Sequence, residues 1–334
     1  MITDARPLQP EFVPGDVRHR DGEIDALTST LEPILQGNHA DPAFLHGPSG
    51  TGKTCIARYG VERLREQVVD LHTQYVNCWE DYTRFKTLYR VLEGLNKTLD
   101  VHRQSTPRDE LLDRLRDALD APYVVVLDEV DQLEEKEVLY DLNRTRGLSL
   151  VLIANNEDEV FAELDRRVAS RLKTATRIHF GRYGTDELTG ILQDRVRWGL
   201  HDDTVTDDQL LWIANAAGGD ARVAIGTLRA AAQMAQKRTF DRITDDVLAE
   251  AAPEAKVEIR RKSLEKLTDH QRVLYDIICE HDGIRPDALY EAYCERVDDT
   301  KTRRTVRNYL KKMRRYNLVE TEGRGKARKY RQVE

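Results

Sequence analysis

The run from Gly47 to Thr54, Gly-Pro-Ser-Gly-Thr-Gly-Lys-Thr, constrains this chain more than any other segment. It fits the pattern G-x-x-x-x-G-K-[ST], in which backbone N–H groups close around phosphate oxygens, the lysine adds charge and the final hydroxyl holds Mg²⁺. A buried strand before it (Ala43–His46) and a helix after it (Thr54–Leu64) direct the positive helix end at the phosphates. The sequence therefore predicts a site for ATP or ADP with Mg²⁺. The predicted binding residues are Gly47, Pro48, Ser49, Gly50, Thr51, Gly52, Lys53 and Thr54.

Composition sets the class of protein. A chain of 334 residues suggests two or three domains. The four cysteines lack C-x-x-C spacing, which favours reduced, buried thiols over a metal or disulfide site. Neither a membrane-length apolar run nor a signal-peptide core is present in the sequence, so we expect a cytoplasmic protein without a membrane partner.

Charge is distributed unevenly along the chain. The formal net charge is −7, but residues 300–334 hold thirteen Lys or Arg and three Glu, a net of +10 that leaves −17 for the rest. A basic end on an acidic body is typical of a nucleic-acid contact region, and the alternative is a solvated charged tail.

The order of predicted elements divides the chain into three domains. Apolar strands alternate with helices in residues 1–180, which predicts a parallel sheet with helices on both sides. Residues 181–253 read as helices alone, ended by a break at Ala251–Glu254. Residues 257–334 read as three helices followed by two short strands.

Two strand ends carry polar residues suited to phosphoryl transfer. Asp128 and Glu129 follow the apolar run Tyr123–Leu127, where Asp128 would hold Mg²⁺ and Glu129 would orient the attacking water. Asn155 follows the next strand and would lie beside that water and the γ-phosphate. An ordinary turn is the alternative for Asn155, and Asn156 is the second candidate for its role.

Two arginine segments could contact the γ-phosphate. Arg171, or Arg167 as second choice, precedes the last strand and could reach a neighbouring subunit as an arginine finger; the alternative is surface charge. The stretch Gly218–Arg222 opens a helix capped by Asp220. Arg222 could fold over the cleft and couple closure to ATP or ADP, and the alternative is a salt bridge at the helix start.

In order and spacing these motifs resemble those of AAA+ ATPases. The lead-in Phe12–Arg20 with Glu23, the Gly-Asp-Ala-Arg stretch and the C-terminal unit narrow the resemblance to archaeal replication initiators, relatives of the eukaryotic origin-recognition complex. The resemblance implies an α/β parallel-sheet AAA+ ATPase domain, an all-α lid domain and a C-terminal winged-helix domain. It also implies that Val17 and Arg20 help to cradle the nucleotide.

In function, the resemblance implies an ATPase that hydrolyses slowly, recognises double-stranded origin DNA with other initiator subunits, and helps to load the replicative helicase. It implies a DNA-contacting helical insertion, which we locate at Leu95–Arg108. Asn156 stands where the family commonly has an acid, and Arg166 where it commonly has a proline, which leaves the finger position open.

The basic end has the pattern of a recognition helix. In the predicted helix Thr302–Arg315, Val306, Leu310 and Met313 recur at helical spacing and would pack inward, leaving a cationic face for DNA. A basic helix bound to an acidic protein is the alternative. The predicted DNA contacts are Arg303, Arg307, Lys311 and Arg314, with Arg304 pointing further away, and Arg324 and Lys326 at the tip of the following hairpin.

Two other functions fit the same motifs. A hexameric branch-migration motor also joins AAA+ domains to a winged helix, but the lead-in and the insertion argue against it. A nucleotide-gated regulator of transcription could use the same winged helix at any operator.

Overall fold

The computed structural model describes residues 1–102, 106–316, 318–323 and 328–333. The chain divides into two compact units, Met1–Ala252 and Pro253–Glu334. None of the helices in these described ranges is both long and apolar enough to cross a membrane. The three-domain division of residues 1–180, 181–253 and 257–334 stays a prediction.

A five-stranded parallel sheet organises the first unit, as predicted. Its strands are β1 (Ala43–His46), β2 (His72–Asn77), β3 (Tyr123–Asp128), β4 (Leu148–Ala154) and β5 (Thr176–His179). Their order in the sheet is β2-β3-β4-β1-β5, so the neighbours of β4 come from distant parts of the sequence. Every residue of β3 and β4 is buried, which explains their continuous apolar runs.

Helices cover both faces of the sheet. Alternate residues of β3 point into two cores, with Val125 and Leu127 on one side and Val124 and Val126 on the other. Short helices of seven residues were not predicted, because two turns are too few for a periodic signal. The helices are α1 (Asp21–Leu31), a 3₁₀ turn (Glu32–Gln36), α2 (Lys53–Gln67), α3 (Arg84–Glu93), α4 (Arg108–Ala118), a 3₁₀ turn (Val130–Gln132), α5 (Glu137–Asn143), α6 (Glu157–Glu163) and α7 (Arg166–Leu172).

The helical insertion expected at Leu95–Arg108 is not found in the described part of that segment. Residues 95–102 and 106–107 form turns and bends between α3 and α4, and Arg108 is already the first residue of α4. The described elements between β2 and β3 are thus α3 and α4 themselves, whose leucines pack on the sheet.

Four helices follow the sheet: α8 (Thr185–Gly199), α9 (Asp207–Ala217), α10 (Ala221–Lys237) and α11 (Asp245–Glu265). The break predicted at Ala251–Glu254 is wrong, because α11 continues through Pro253. Pro253 lacks the N–H that would bond the carbonyl of Ala249. Both residues are exposed, so water can satisfy that carbonyl, while Val247 and Ala251 on another face of the helix are buried.

The lead-in residues 1–20 lie along the helical part of the first unit. Ile2 forms an antiparallel bridge with Leu200. The buried guanidinium of Arg195 donates to the carbonyl of Pro7 at 2.8 Å. Hydrogen bonds thus join the lead-in to α8 and the residue after it.

The second unit contains α12 (Asp269–Cys279), α13 (Pro286–Arg296), α14 (Arg303–Arg315) and the antiparallel pair β6 (Val319–Glu322) and β7 (Lys329–Gln332). An isolated bridge joins Ile284, before α13, to Tyr330 of β7. Val306, Leu310 and Met313 are buried, as their spacing predicted. The described elements are thus three helices followed by two strands, as predicted, and the winged-helix assignment stays a prediction.

Candidate functional site

The predicted phosphate loop connects the end of β1 to the start of α2, at the carboxyl edge of the sheet. Gly47 has φ +146°, and a Cβ atom there would lie 2.1 Å from the carbonyl oxygen of Phe180. At Gly50 (φ +74°) a Cβ would lie 1.9 Å from Oδ1 of Asp220. These clashes and positive φ angles restrict both positions to glycine, and a loop without these side chains lets a phosphate approach its backbone N–H groups, so the loop fits a nucleotide.

Lys53, the first residue of α2, is buried beneath this loop. Its ammonium donates to the carbonyls of Gly47 at 2.7 Å and Pro48 at 2.6 Å, and to Oδ1 of Asn155 at 3.2 Å. Burial lowers the pKa of Lys53 to about 8, against the opposing effect of nearby Asp128. The lysine thus joins the loop to the end of β4, although it is 102 residues from Asn155 in sequence.

Asp128 ends β3 and is fixed at both carboxylate oxygens. Oδ2 accepts from the hydroxyl of Thr54 at 2.6 Å and from the phenol of Tyr75 at 2.8 Å, and Oδ1 accepts from the N–H of Glu129 at 2.8 Å. A carboxylate beside a hydroxyl is the hard oxygen donor set that Mg²⁺ prefers. Thr54 and Asp128 therefore fit the predicted metal site.

Glu129 has a strained backbone. Its φ of 58° and ψ of 44° are left-handed, which non-glycine residues seldom adopt. Such strain persists where the surroundings enforce it and is common at active sites. This conformation ends β3 directly after Asp128 and starts the 3₁₀ turn at Val130.

The two candidate asparagines after β4 have different partners. Asn155 contacts Lys53, whereas Oδ1 of Asn156 accepts from the N–H of Glu159 at 3.4 Å and caps α6. The geometry therefore favours Asn155 over Asn156 as the residue next to the phosphates.

The helical part of this unit touches the phosphate loop directly. The N–H of Ala221, at the start of α10, donates to the carbonyl of Gly50 at 2.9 Å. Asp220 caps α10 by accepting from the N–H groups of Arg222 at 2.9 Å and Val223 at 3.2 Å. Burial is the main cause of the lowered pKa of Lys53, and Asp128 opposes it. The nearby charge of Arg222 lowers this pKa further, by a smaller amount.

The structure exposes both candidate finger residues. Arg167 and Arg171 lie on α7, whose Val168 and Leu172 are buried and whose first turn is capped by Asp165. Contact with another subunit requires an exposed side chain. Because Arg167 and Arg171 are both exposed, their exposure does not distinguish between them.

Of the two predicted cradle residues, Arg20 is buried and Val17 half-buried. The guanidinium of Arg20 donates to the carbonyl of Gly181 and to Glu23, both at 2.6 Å. It also lies 4.1 Å from the ring centroid of Tyr183. Arg20 thus fixes the segment between β5 and α8, and Val17 packs against the core under α1 and α2.

The predicted DNA-contacting residues of α14 differ in availability. Arg304, Arg307 and Arg314 are exposed and Lys311 is half-buried. Arg303 pairs with Asp287 at 2.7 Å and lies 4.4 Å from the ring centroid of Tyr290, so α13 already engages it. Arg324 and Lys326 lie outside the described residues.

Tyr75 was missed by the sequence reasoning. It lies in β2 and pairs with Val126 of the neighbouring strand β3. Its phenol therefore reaches Asp128 at the end of β3. A tyrosine near the end of a strand was visible in the sequence, but the adjacency of β2 and β3 was not.

Comparison with known proteins shows similarity to two family models and to two relatives. A family model described as an AAA domain matches residues 36–159, and one described as a Cdc6 AAA+ ATPase-type lid domain matches residues 189–253. The chain is 56% identical over 308 residues to ORC1-type DNA replication protein 1 of Halobacterium salinarum, covering 92% of this chain and 100% of that protein. It is 48% identical over 330 residues to ORC1-type DNA replication protein 9 of the same organism, covering 99% and 93%.

Among solved structures, the ORC1 protein of Aeropyrum pernix in complex with DNA matches with a TM-score of 0.80 and 25% identity. The match covers 99% of this chain and 94% of that chain. The similarity thus extends over both units of the molecule.

Proposed function

The chain belongs to the ORC1-type DNA replication proteins, and from that membership and the site we propose that its ATP state controls its hold on origin DNA. The observation that carries the proposal is that two consecutive residues hydrogen-bond to two different strand ends, Lys53 to Asn155 and Thr54 to Asp128. These residues come from three parts of the sequence and meet at the ends of β1, β3 and β4. Such convergence on a glycine loop at a helix start supports phosphate binding over a structural role.

In the proposed site, the loop residues Gly47–Thr54 bind the phosphates of ATP or ADP through backbone N–H groups. Lys53 would exchange its loop carbonyls for phosphate oxygens, which are stronger, charged acceptors. Thr54 and Asp128 would hold Mg²⁺, which supplies charge neutralisation at the β- and γ-phosphates.

Hydrolysis in this proposal depends on positioning. Glu129 orients the attacking water and takes its proton, and Asn155 fixes the water beside the γ-phosphate. Arg222 adds positive charge from α10, and Arg171 adds it to a neighbouring subunit's site. Because α10 already rests on Gly50, a change at the γ-phosphate is passed to the helical domain.

DNA binding is proposed for the exposed cationic face of α14. The net charge of +10 in residues 300–334 supports it, as does the DNA complex of the Aeropyrum pernix relative. We propose origin DNA, the replicative helicase and further initiator subunits as partners.

The hydrolytic role is tested by Glu129→Gln. We expect unchanged ATP affinity and a turnover lowered by about a hundredfold or more, because the amide cannot accept the proton. Glu134→Gln, an exposed neighbour, is the matched control. Normal turnover in Glu129→Gln would show that the catalytic assignment is wrong.

The DNA role is tested by incubating the ATP-bound protein with sheared genomic DNA and sequencing what it retains. A few discrete AT-rich peaks, weakened by Arg307→Ala, support origin recognition. Enrichment at branched DNA would favour the branch-migration motor, and many promoter peaks would favour the transcription regulator.

A further inference from the structure

We propose that Tyr75 is a positioning residue for Asp128, holding the carboxylate in the orientation that binds Mg²⁺ with the nucleotide. The inference rests on the proposed nucleotide function and adds a residue to it. In this role Tyr75 contacts neither nucleotide nor metal, and it acts only through its hydrogen bond to the Asp128 carboxylate.

Oδ2 of Asp128 accepts two hydrogen bonds, from the hydroxyl of Thr54 at 2.6 Å and from the phenol of Tyr75 at 2.8 Å. Thr54 is itself a proposed metal ligand, so its hydroxyl has a second task at the metal. Tyr75 lies in a neighbouring strand and has no such task in the proposal. Its phenol is therefore the donor that can fix Oδ2 throughout the nucleotide cycle.

Tyr75 is itself held on two sides. Its backbone pairs with Val126 in the β2–β3 register. The guanidinium of Arg58, from α2, lies 4.3 Å from the centroid of its ring, within the range of a cation–π contact. Because α2 also carries Lys53 and Thr54, Arg58 and Tyr75 connect the helix of the phosphate loop to the strand beside Asp128.

The ring of Tyr75 also borders a surface pocket of about 590 Å³. Val13 and Pro14 of the lead-in and Tyr59 of α2 line the same pocket. A phenylalanine at position 75 keeps the ring and its packing, so Tyr75→Phe removes the hydrogen bond with little risk to the fold. Tyr59→Phe is the matched control, since it removes a phenol from the same pocket that donates nothing to Asp128 and instead accepts from Arg63 at 3.2 Å.

The experiment measures ADP affinity by calorimetry with excess EDTA and across a Mg²⁺ titration, for wild type and both variants. Thermal unfolding of each protein is recorded alongside. For Tyr75→Phe we expect wild-type affinity in EDTA and a Mg²⁺ midpoint raised about tenfold, the usual size of an outer-shell effect on metal affinity. Tyr59→Phe should match wild type in both conditions.

Three results would overturn the proposal. An unchanged Mg²⁺ midpoint in Tyr75→Phe, with wild type showing its Mg²⁺-dependent gain, refutes the positioning role alone. Equal loss of affinity with and without Mg²⁺ assigns Tyr75 a purely structural role. A wild-type protein whose ADP affinity does not respond to Mg²⁺ refutes both this role and the proposed metal site.

Discussion

The nucleotide site and the cationic face of α14 are built from different kinds of elements. In the first, the side chains come from strand ends and a loop whose backbone the sheet fixes, and they form two hydrogen-bonded pairs, Lys53 with Asn155 and Thr54 with Asp128. In the second, the cations project from one exposed helix, and neighbouring elements decide which of them are available. Arg303 and Arg307 are both exposed, but Arg303 forms an ion pair with Asp287.

The difference shows how far a motif constrains a site. A loop between a buried strand and a helix leaves few positions for its side chains. The spacing of residues in the sequence therefore predicts most of the positions of the site residues. A helix face fixes direction, because 3.6 residues make a turn, but long flexible side chains can still pair with the protein instead of a ligand. Variants in the two regions should accordingly behave differently.

The largest effect is expected for Lys53→Ala. The lysine is buried and joins the loop to Asn155, so its loss removes both the phosphate-binding charge and the bridge. We expect ADP affinity, measured by calorimetry, to fall roughly a hundredfold or more. Lys237→Ala, at an exposed position of α10, should bind as wild type, and retained binding in Lys53→Ala would contradict the site.

A somewhat smaller effect is expected for Gly50→Ala. A Cβ would meet Oδ1 of Asp220 at 1.9 Å, which displaces the cap of α10, and φ +74° adds backbone strain. We expect the free energy of unfolding, measured by denaturant titration, to fall by roughly 2–4 kcal/mol. Gly37→Ala has a similar φ of +73° and open space around it, so it isolates the strain. Equal losses in the two variants would mean that the contact with Asp220 adds nothing.

On α14 we expect a severalfold effect that separates two arginines. Arg307→Ala should weaken DNA binding about fivefold and reduce the slope of log affinity against log salt by about 0.9, the contribution of one phosphate contact. Arg303→Ala should leave the slope unchanged, because Asp287 already neutralises that charge. Fluorescence anisotropy across a salt series measures both, and an equal change of slope would show that Arg303 leaves Asp287 to bind DNA.

The smallest effect concerns pH and lies next to the phosphate loop. Burial lowers the pKa of His46 below its ordinary 6.5, and the nearby charges of His179 and Arg177 add to this while Glu157 opposes it. The folded state therefore binds fewer protons than the unfolded state, so stability is lost as pH falls from 6.5 through the lowered pKa. His46→Gln should reduce the drop in melting temperature between pH 7.5 and pH 5.5 by roughly 1–2 °C. An identical drop in both proteins would contradict this.

The sequence alone predicted the sheet, because long apolar runs such as Leu148–Ala154 allow few other structures. It did not predict that α11 continues through Pro253. Whether a proline ends a helix depends on whether water can hydrogen-bond the carbonyl four residues earlier, here that of Ala249. It missed Tyr75, because strand order depends on packing and was not encoded in any one segment. The residues of local motifs could therefore be predicted from the sequence, and the contacts between distant segments could not.

The contacts of the lead-in have a consequence for biosynthesis. Pro7 is bonded to Arg195, which is 188 residues further along, and Gln9 to Arg229, which is 220 further. At about 5–20 residues added per second, the ribosome takes roughly 10–40 s to make these partners. The hydrogen bond from Arg20 to Gly181 likewise cannot form until Gly181, 161 residues further along, has been synthesised. The lead-in of the first unit is thus made long before its partners, and its contacts with α8 and α10 can form only after the strands β1 to β5 have been synthesised.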